Sequence, residues 1–260
     1  MKKKIAILGS TGSIGENTLD IIKNDKKNFD VVLLSTNRNI NKVFKQAKEF
    51  KVKNIVISDL NSFQRAKLKF KNSKIKILNN FNNLNKIFKD KNDFIMSSIS
   101  GINGLEPTLK SIRFTKNILI ANKEAIICGW NLIVRELKKY KTNFVPVDSE
   151  HFSIWYALQN IDISKVNKIY LTASGGPLLN KSLSKINKIK IKDVLKHPNW
   201  KMGKKISIDS ATLMNKVFEL IEAMRVFNFS KKKLNILIHP KSYVHSIIKF
   251  NNGLINITAH

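Results

Sequence analysis

Seven short runs of β-branched and aliphatic residues recur through the first 147 residues, and helical patterns fill the gaps between them. The runs lie at residues 4–8, 30–35, 54–57, 74–78, 93–98, 117–121 and 143–147, with helical stretches such as 40–50 and 124–140 between them. Most of the runs are nearly continuous in apolar residues, as strands buried on both faces must be. Strands separated by helices pair in parallel, because a crossover brings the chain back to the same sheet edge. The pattern predicts an α/β domain over residues 1–147. After Pro146 the style changes to a helix at 151–159, a strand at 168–173 and a Gly175-Gly176-Pro177 turn. A Lys-rich connection over about 178–192 follows, then a long helix at 211–227 with Ser210 as its N-cap. Strands at 234–239 and 244–250 lead into an Asn251-Asn252-Gly253 hairpin signal. Residues 148–260 are therefore expected to form a second, α+β domain.

The net charge of +29 raises nucleic-acid binding, since phosphate neutralisation by Lys and Arg drives it. Only Arg38, Arg65, Arg113, Arg135 and Arg225 are arginines, however, and the lysines are scattered beside abundant Asn and Ile. An AT-rich coding bias explains that composition without a partner, so no specific nucleic acid is expected. No apolar run is long enough for a membrane span, and the basic start at Met1-Lys2-Lys3-Lys4 precedes no signal-peptide core. One cysteine, Cys128, excludes an internal disulfide and a cysteine metal cluster. A cytoplasmic protein is the expectation.

The first run ends in Gly9-Ser10-Thr11-Gly12-Ser13-Ile14-Gly15, and a helix follows from near Glu16. This G-x-x-G-x-x-G pattern is one residue off the dinucleotide fingerprint, but its physics is the same. Glycines let the backbone approach a diphosphate, and a helix N-terminus supplies unpaired N–H groups. The first domain thus reads as Rossmann-like. Its next strand runs out into Ser35-Thr36-Asn37-Arg38-Asn39, without the acid that an NAD site places there. Arg38 suits a 2′-phosphate, so NADPH is expected over NADH; a solvated loop arginine is the plainer alternative.

A second constellation is Val147-Asp148-Ser149-Glu150-His151. Two carboxylates two residues apart at a strand end can turn toward one point, where they need a cation between them. Carboxylates without Cys or paired His select a hard cation, Mg²⁺ or Mn²⁺. Alone, Asp-x-Glu is more often a helix cap. Further on, Asn215, Lys216 and Glu219 share one region of helical surface beside an expected apolar stripe of Leu213, Val217, Leu220 and Met224. Glu219 could complete a three-carboxylate site, and Ser210, Asn215 and Lys216 could hold a phosphate. An ordinary Lys–Glu surface pair is the alternative. Ser174 in a Gly-rich turn, Asn122-Lys123-Glu124 at a strand end, and the loop His197-Pro198-Asn199-Trp200-Lys201-Met202-Gly203 are further polar segments compatible with a sugar phosphate.

Seven motifs stand in one order: Gly9 to Gly15, Ala121-Asn122-Lys123-Glu124, Pro146-Val147-Asp148-Ser149-Glu150-His151, 172–177, 197–203, 208–219 and Ile238-His239-Pro240. In that order the chain resembles the 1-deoxy-D-xylulose 5-phosphate reductoisomerase family from residue 3 to about residue 254. The resemblance implies NADPH contacts at Thr11, Gly12, Ser13, Ile14, Asn37, Arg38, Asn39, Asn122, Glu124 and Gly203. It implies metal ligands at Asp148, Glu150 and Glu219, for Mg²⁺, Mn²⁺ or Co²⁺. It implies substrate contacts at Lys123, Ser149, Glu150, Ser174, His197, Ser210, Asn215, Lys216 and Glu219, with Trp200 on a closing loop. Lys123, Asp148, Glu150, Glu219 and His197 form its catalytic set. The implied reaction rearranges the substrate's carbon skeleton and reduces the resulting aldehyde, in a homodimer.

Two departures from the family stand out. Asn37 replaces a usual glycine, a substitution that matters if the position needs left-handed backbone angles. Family members also continue into a C-terminal helical domain, whereas this sequence ends at His260, with residues 255–260 reading as a degraded strand. The expectation is a truncated member, its second domain incomplete and lacking the strand after the hairpin. A remnant that binds NADPH without turnover, a basic nucleic-acid-binding protein and a generic NADP dehydrogenase are the rivals. The last leaves the acidic triad unexplained.

Overall fold

The structure is a computed structural model that describes residues 1–182, 184, 189–195 and 203–259. The chain divides into two compact units, Met1–Val145 and Pro146–His260. The sequence put the boundary two residues later.

Unit 1 runs β1 (Lys3–Leu8), α1 (Ser13–Asn24), β2 (Phe29–Thr36), α2 (Ile40–Glu49), β3 (Asn54–Ile57), α3 (Leu60–Lys69), β4 (Lys76–Leu78), β5 (Asn92–Ser97), α4 (Leu105–Ile112), β6 (Thr115–Ile120), α5 (Lys123–Tyr140) and β7 (Asn143–Pro146). The sheet order is β4-β3-β2-β1-β5-β6-β7, with parallel pairing from β4 through β6. Ile7, Leu8, Leu33, Leu34, Ile55, Ile57, Ile95 and Ile118 are wholly buried, which explains why these strands read as unbroken apolar runs. The chain winds outward from β1 through β2 and β3 to β4, then returns to the other side of β1 to lay down β5, so the winding reverses between β1 and β5. The crevice over their C-terminal ends is the switch point where such sheets bind ligands.

Unit 2 contains α6 (Ser149–Ala157), β8 (Val166–Ala173), α7 (Ile191–Val194), α8 (Lys204–Ala211), α9 (Met214–Val226), β9 (Leu234–Ile238), β10 (Val244–Phe250) and β11 (Ile255–Ala259). Its sheet has the order β11-β10-β8-β9, with β8 parallel to β9 and β10 antiparallel to both β8 and β11. Ile154 of α6 and Ala223 of α9 pack with Val166, Ile169, Leu171, Leu234 and Ile248 of the sheet to form the core. The edges are more open: Ile236, Leu237 and Ile238 of β9 and Ile255 and Ile257 of β11 are exposed.

Three expectations for unit 2 need correction. Residues 255–259 pair with β10 as a full edge strand, so the strand after the hairpin is present. Backbone hydrogen bonding to β10 builds it, although its side chains bury little. Ser210 is not an N-cap; it lies in the last turn of α8, and α9 begins after Leu213, which takes the left-handed conformation at φ 59°. Residues 204–208 lack a helical apolar stripe, so α8 was invisible as a pattern. The expected stripe on α9 also fails, because Leu213 and Val217 are exposed while Lys216, Glu219 and Glu222 are buried. Leu220 and Met224 do pack against the core.

Gly15 marks the closest approach of α1 to the loop before it. A Cβ there would stand 2.4 Å from the Gly9 carbonyl oxygen and 2.6 Å from Ser10 Cα, both backbone. Gly15→Ala should therefore destabilise unit 1 by about 1–3 kcal/mol. Urea unfolding checks this, and an unchanged midpoint would contradict the close packing.

Candidate active site

In unit 1, polar side chains gather where the strands end. Asn39, Asp59 and Asn122 cap α2, α3 and α5, accepting from the backbone N–H groups of Lys42, Ser62 and Ala125. As with Gly104 before α4, the cap residue of α1 is a glycine, Gly12, which has no side chain to satisfy the first-turn N–H groups. A cavity of about 670 Å³ opens beside it, lined by Gly9, Thr11, Gly12, Thr36, Asn37 and Ser98 among others. Gly9 has φ +85°, and a Cβ on it would meet the Ser98 carbonyl at 2.8 Å, so the loops after β1 and β5 touch through a bare backbone. Thr11 and Thr36 share a hydroxyl hydrogen bond of 2.8 Å, tying the loop after β1 to β2.

Thr11, Gly12 and Asn37 therefore line the cavity, while Ser13 and Ile14 open the helix beside it. Asn37 does not adopt the left-handed conformation, so replacing glycine there carries no backbone strain; its side chain donates to Ser58 Oγ at 2.9 Å. Arg38, 78% exposed, pairs through Nε with Asp59 Oδ1 at 3.3 Å. The sequence around Arg38 showed no acid, yet the sheet brings Asp59 to it from the end of β3. Hydrogen bonds from the Ser62 hydroxyl and backbone, with Arg38 adding its charge, hold the Asp59 carboxyl below its ordinary range. Asn122 is buried and donates to the carbonyls of Ile99 and Gly101, bracing the loop after β5. Lys123 and Glu124 follow in the first turn of α5, and Lys123 is buried.

In unit 2, one oxygen each of Asp148, Glu150 and Glu219 lies within 4.8 Å of the others. Asp148 caps α6, its Oδ1 accepting from the backbone N–H groups of Glu150 (3.2 Å) and His151 (3.4 Å). Glu219 is buried; its Oε1 accepts from Asn215 Nδ2 at 2.5 Å and its Oε2 from Lys216 Nζ. Lys216 also reaches Glu150 Oε1 at 3.3 Å. Burial alone would lower the pKa of Lys216. The charges of Glu219, Glu150 and Asp148 outweigh it and hold the ammonium above the ordinary lysine range. Asn215, Lys216 and Glu219 thus do form one polar face, buried against the carboxylates of α6 rather than exposed.

The Gly-rich turn joins this unit's polar residues. Gly175 and Gly176 have φ of +83° and +70°, and a Cβ on Gly176 would stand 2.5 Å from the Ser210 carbonyl. Ser174, whose Oγ accepts from Gly176 N at 3.2 Å, is thereby brought to the end of α8 where Ser210 lies. Ser149 opens α6 and donates to Glu150 Oε2 at 2.8 Å. Gly203 caps α8. His197 and Trp200 lie outside the described residues.

Residues 5–129 match the profile of 1-deoxy-D-xylulose 5-phosphate reductoisomerase, and residues 144–227 match that of the same enzyme's C-terminal domain. The chain is 61% identical to the 1-deoxy-D-xylulose 5-phosphate reductoisomerase of Pelagibacter ubique (strain HTCC1062), over 99% of this chain and 67% of the relative. The chain belongs to the 1-deoxy-D-xylulose 5-phosphate reductoisomerase family. Two solved structures of the family superpose on it. The enzyme from Zymomonas mobilis in complex with NADPH does so at TM-score 0.87 and 34% identity, covering 100% of this chain and 67% of that one. A DOX-P reductoisomerase in complex with NADPH, fosmidomycin and magnesium gives 0.91 and 35%, covering 99% and 66%. The chain spans about two thirds of the length of the reductoisomerases it matches.

Two residues of the site carried no role in the sequence reading. Asp59 is separated from Arg38 by a whole crossover. His151, at i+3 from the capping Asp148, had a local signal in helical spacing. The electrostatics of the cluster predict that Lys216→Met, which leaves buried carboxylates without that cation, costs about 3–5 kcal/mol. Denaturant unfolding measures it, and a loss below about 1 kcal/mol, typical of a surface pair, would contradict the buried arrangement.

Proposed function

We propose that this chain carries out the NADPH- and divalent-metal-dependent conversion of 1-deoxy-D-xylulose 5-phosphate to 2-C-methyl-D-erythritol 4-phosphate, a step of isoprenoid synthesis outside the mevalonate route. The observation that carries this reading is the Asp148, Glu150 and Glu219 cluster in a member of this family. The residues fit a hard cation. All three offer carboxylate oxygens, the donors that Mg²⁺ and Mn²⁺ prefer. Opposed oxygens around such an ion stand about 4.2 Å apart at 2.1 Å per bond, so the observed 4.8 Å spread closes with small side-chain shifts.

When bound, the metal draws electron density from the substrate oxygens during the skeletal rearrangement, and NADPH supplies the hydride that reduces the resulting aldehyde. In unit 1, the Gly9–Gly12 turn and the N-terminus of α1 hold the diphosphate through backbone N–H groups. Thr11, Ser13, Ile14, Asn37, Asn39, Asn122, Glu124 and Gly203 complete the NADPH contacts. Arg38 takes the 2′-phosphate, exchanging Asp59 for a more strongly charged partner. Ser174, Ser210, Asn215 and Lys216 hold the substrate phosphate, which lends binding energy to positioning the reacting carbons. Lys123, Ser149, Glu150, Glu219 and His197 contact the remainder of the substrate.

The chain works in the cytoplasm as a homodimer in this reading, and the exposed isoleucines of the β9 and β11 edges favour self-association. No described helix is long and apolar enough to cross a membrane. The excess of lysine serves no specific nucleic acid.

NADPH oxidation by the 260-residue chain with 1-deoxy-D-xylulose 5-phosphate tests the reading. Oxidation should require Mg²⁺ or Mn²⁺ and fall at least about 100-fold in Glu150→Gln. Metal-independent oxidation of equal rate would sink it, and NADPH binding without any turnover would favour a remnant. Arg38→Ala should raise KM for NADPH about ten-fold and leave that for NADH nearly unchanged. Equal effects on both would remove Arg38 from the 2′-phosphate.

A further inference from the structure

We infer that His151 is a positioning residue that locks together the two segments carrying the carboxylate cluster. The inference rests on the reading that Asp148, Glu150 and Glu219 hold a divalent cation. His151 is wholly buried, three residues after Asp148 in the first turn of α6. Its Nδ1 lies 2.9 Å from Asp148 Oδ1, and its Nε2 lies 2.9 Å from the backbone carbonyl oxygen of Glu219 in α9. Each ring nitrogen therefore stands within hydrogen-bond distance of an oxygen on a different ligand residue. One imidazole thus spans two ligand-bearing residues that are 71 apart in sequence (219 − 148), gripping one by its carboxylate and the other by its main chain.

The surroundings hold the ring to this task. Phe227, just beyond α9, stacks on it with centroids 6.2 Å apart and planes 9° from parallel. Glu222 Oε2 lies 3.7 Å from Nδ1 on the side of the next helical turn. The backbone N–H groups of Glu150 and His151 donate to Asp148 Oδ1, and the His151 ring nitrogen meets the same oxygen, so three contacts fix that carboxylate. Partners of this kind, bonded to a ligand rather than to the ion, raise metal affinity by removing the freedom the ligand would otherwise lose on binding.

Mn²⁺ affinity of the 260-residue chain, read from the EPR signal of free Mn²⁺ without substrate or turnover, tests the role. NADPH affinity and urea unfolding without metal are measured beside it. An asparagine amide reaches about as far as Nδ1, and a glutamine amide about as far as Nε2. His151→Asn therefore keeps the bond to Asp148, and His151→Gln keeps the bond to Glu219. His151→Ala should weaken Mn²⁺ binding about 10–100-fold, with Asn and Gln between it and wild type and NADPH affinity unchanged. Phe227→Leu should lower stability and leave Mn²⁺ affinity near wild type. If all three His151 variants bind Mn²⁺ like wild type, whatever their stability, the positioning role is overturned. If Phe227→Leu weakens Mn²⁺ as much as His151→Ala, general packing is responsible and the role is likewise overturned. A wild-type chain whose Mn²⁺ binding ignores Glu150→Gln would overturn the metal reading itself, and the inference with it.

Discussion

Three carboxylates cannot share a space 4.8 Å across without positive charge among them. At that separation each like-charged pair costs about 3 kcal/mol in a protein-like medium of effective dielectric near 20. Much of unit 2 answers that constraint. Lys216 places an ammonium against Glu219 and Glu150, and it is held charged although burial opposes it. Asn215 and the N-terminus of α6 supply hydrogen bonds to the oxygens that face away from it. Lys216 thereby places a cation among carboxylates that would otherwise repel one another.

The same economy of caps and ligands runs through unit 1. Each strand end there is followed by a residue that must satisfy the orphan N–H groups of the next helix. Asn39, Asp59 and Asn122 do so with side chains, whereas Gly12 before α1 and Gly104 before α4 have none to offer. Asp148 carries the principle into unit 2, since a single carboxylate both caps α6 and stands in the acidic cluster. Capping fixes one oxygen, and a fixed oxygen is half of a prepared ligand.

Most of unit 1 was readable from the chain alone, because its central strands are buried on both faces and so are nearly continuous in apolar residues. Unit 2 was harder. Its helix α9 buries a charged face, which inverts the usual rule that the apolar stripe points inward. The break at Leu213 has no glycine or proline to announce it, and Ser210 looked like a cap for want of any visible helix before it. Strand β11 exposes most of its side chains, so its existence depends on backbone pairing with β10 rather than on any hydrophobic pattern.

The amino-acid sequence alone determined the alternation of strands and helices in unit 1, the glycine turn after the first strand, and the identity of the three carboxylates. Local propensity, burial periodicity and residue chemistry act over a few positions and leave their mark there. The tertiary structure decided which distant groups meet: Asp59 with Arg38, Ser210 with the Gly175-Gly176 turn, and His151 with both Asp148 and Glu219. Those contacts depend on where separate elements pack against one another, and no short stretch of chain encodes that distance.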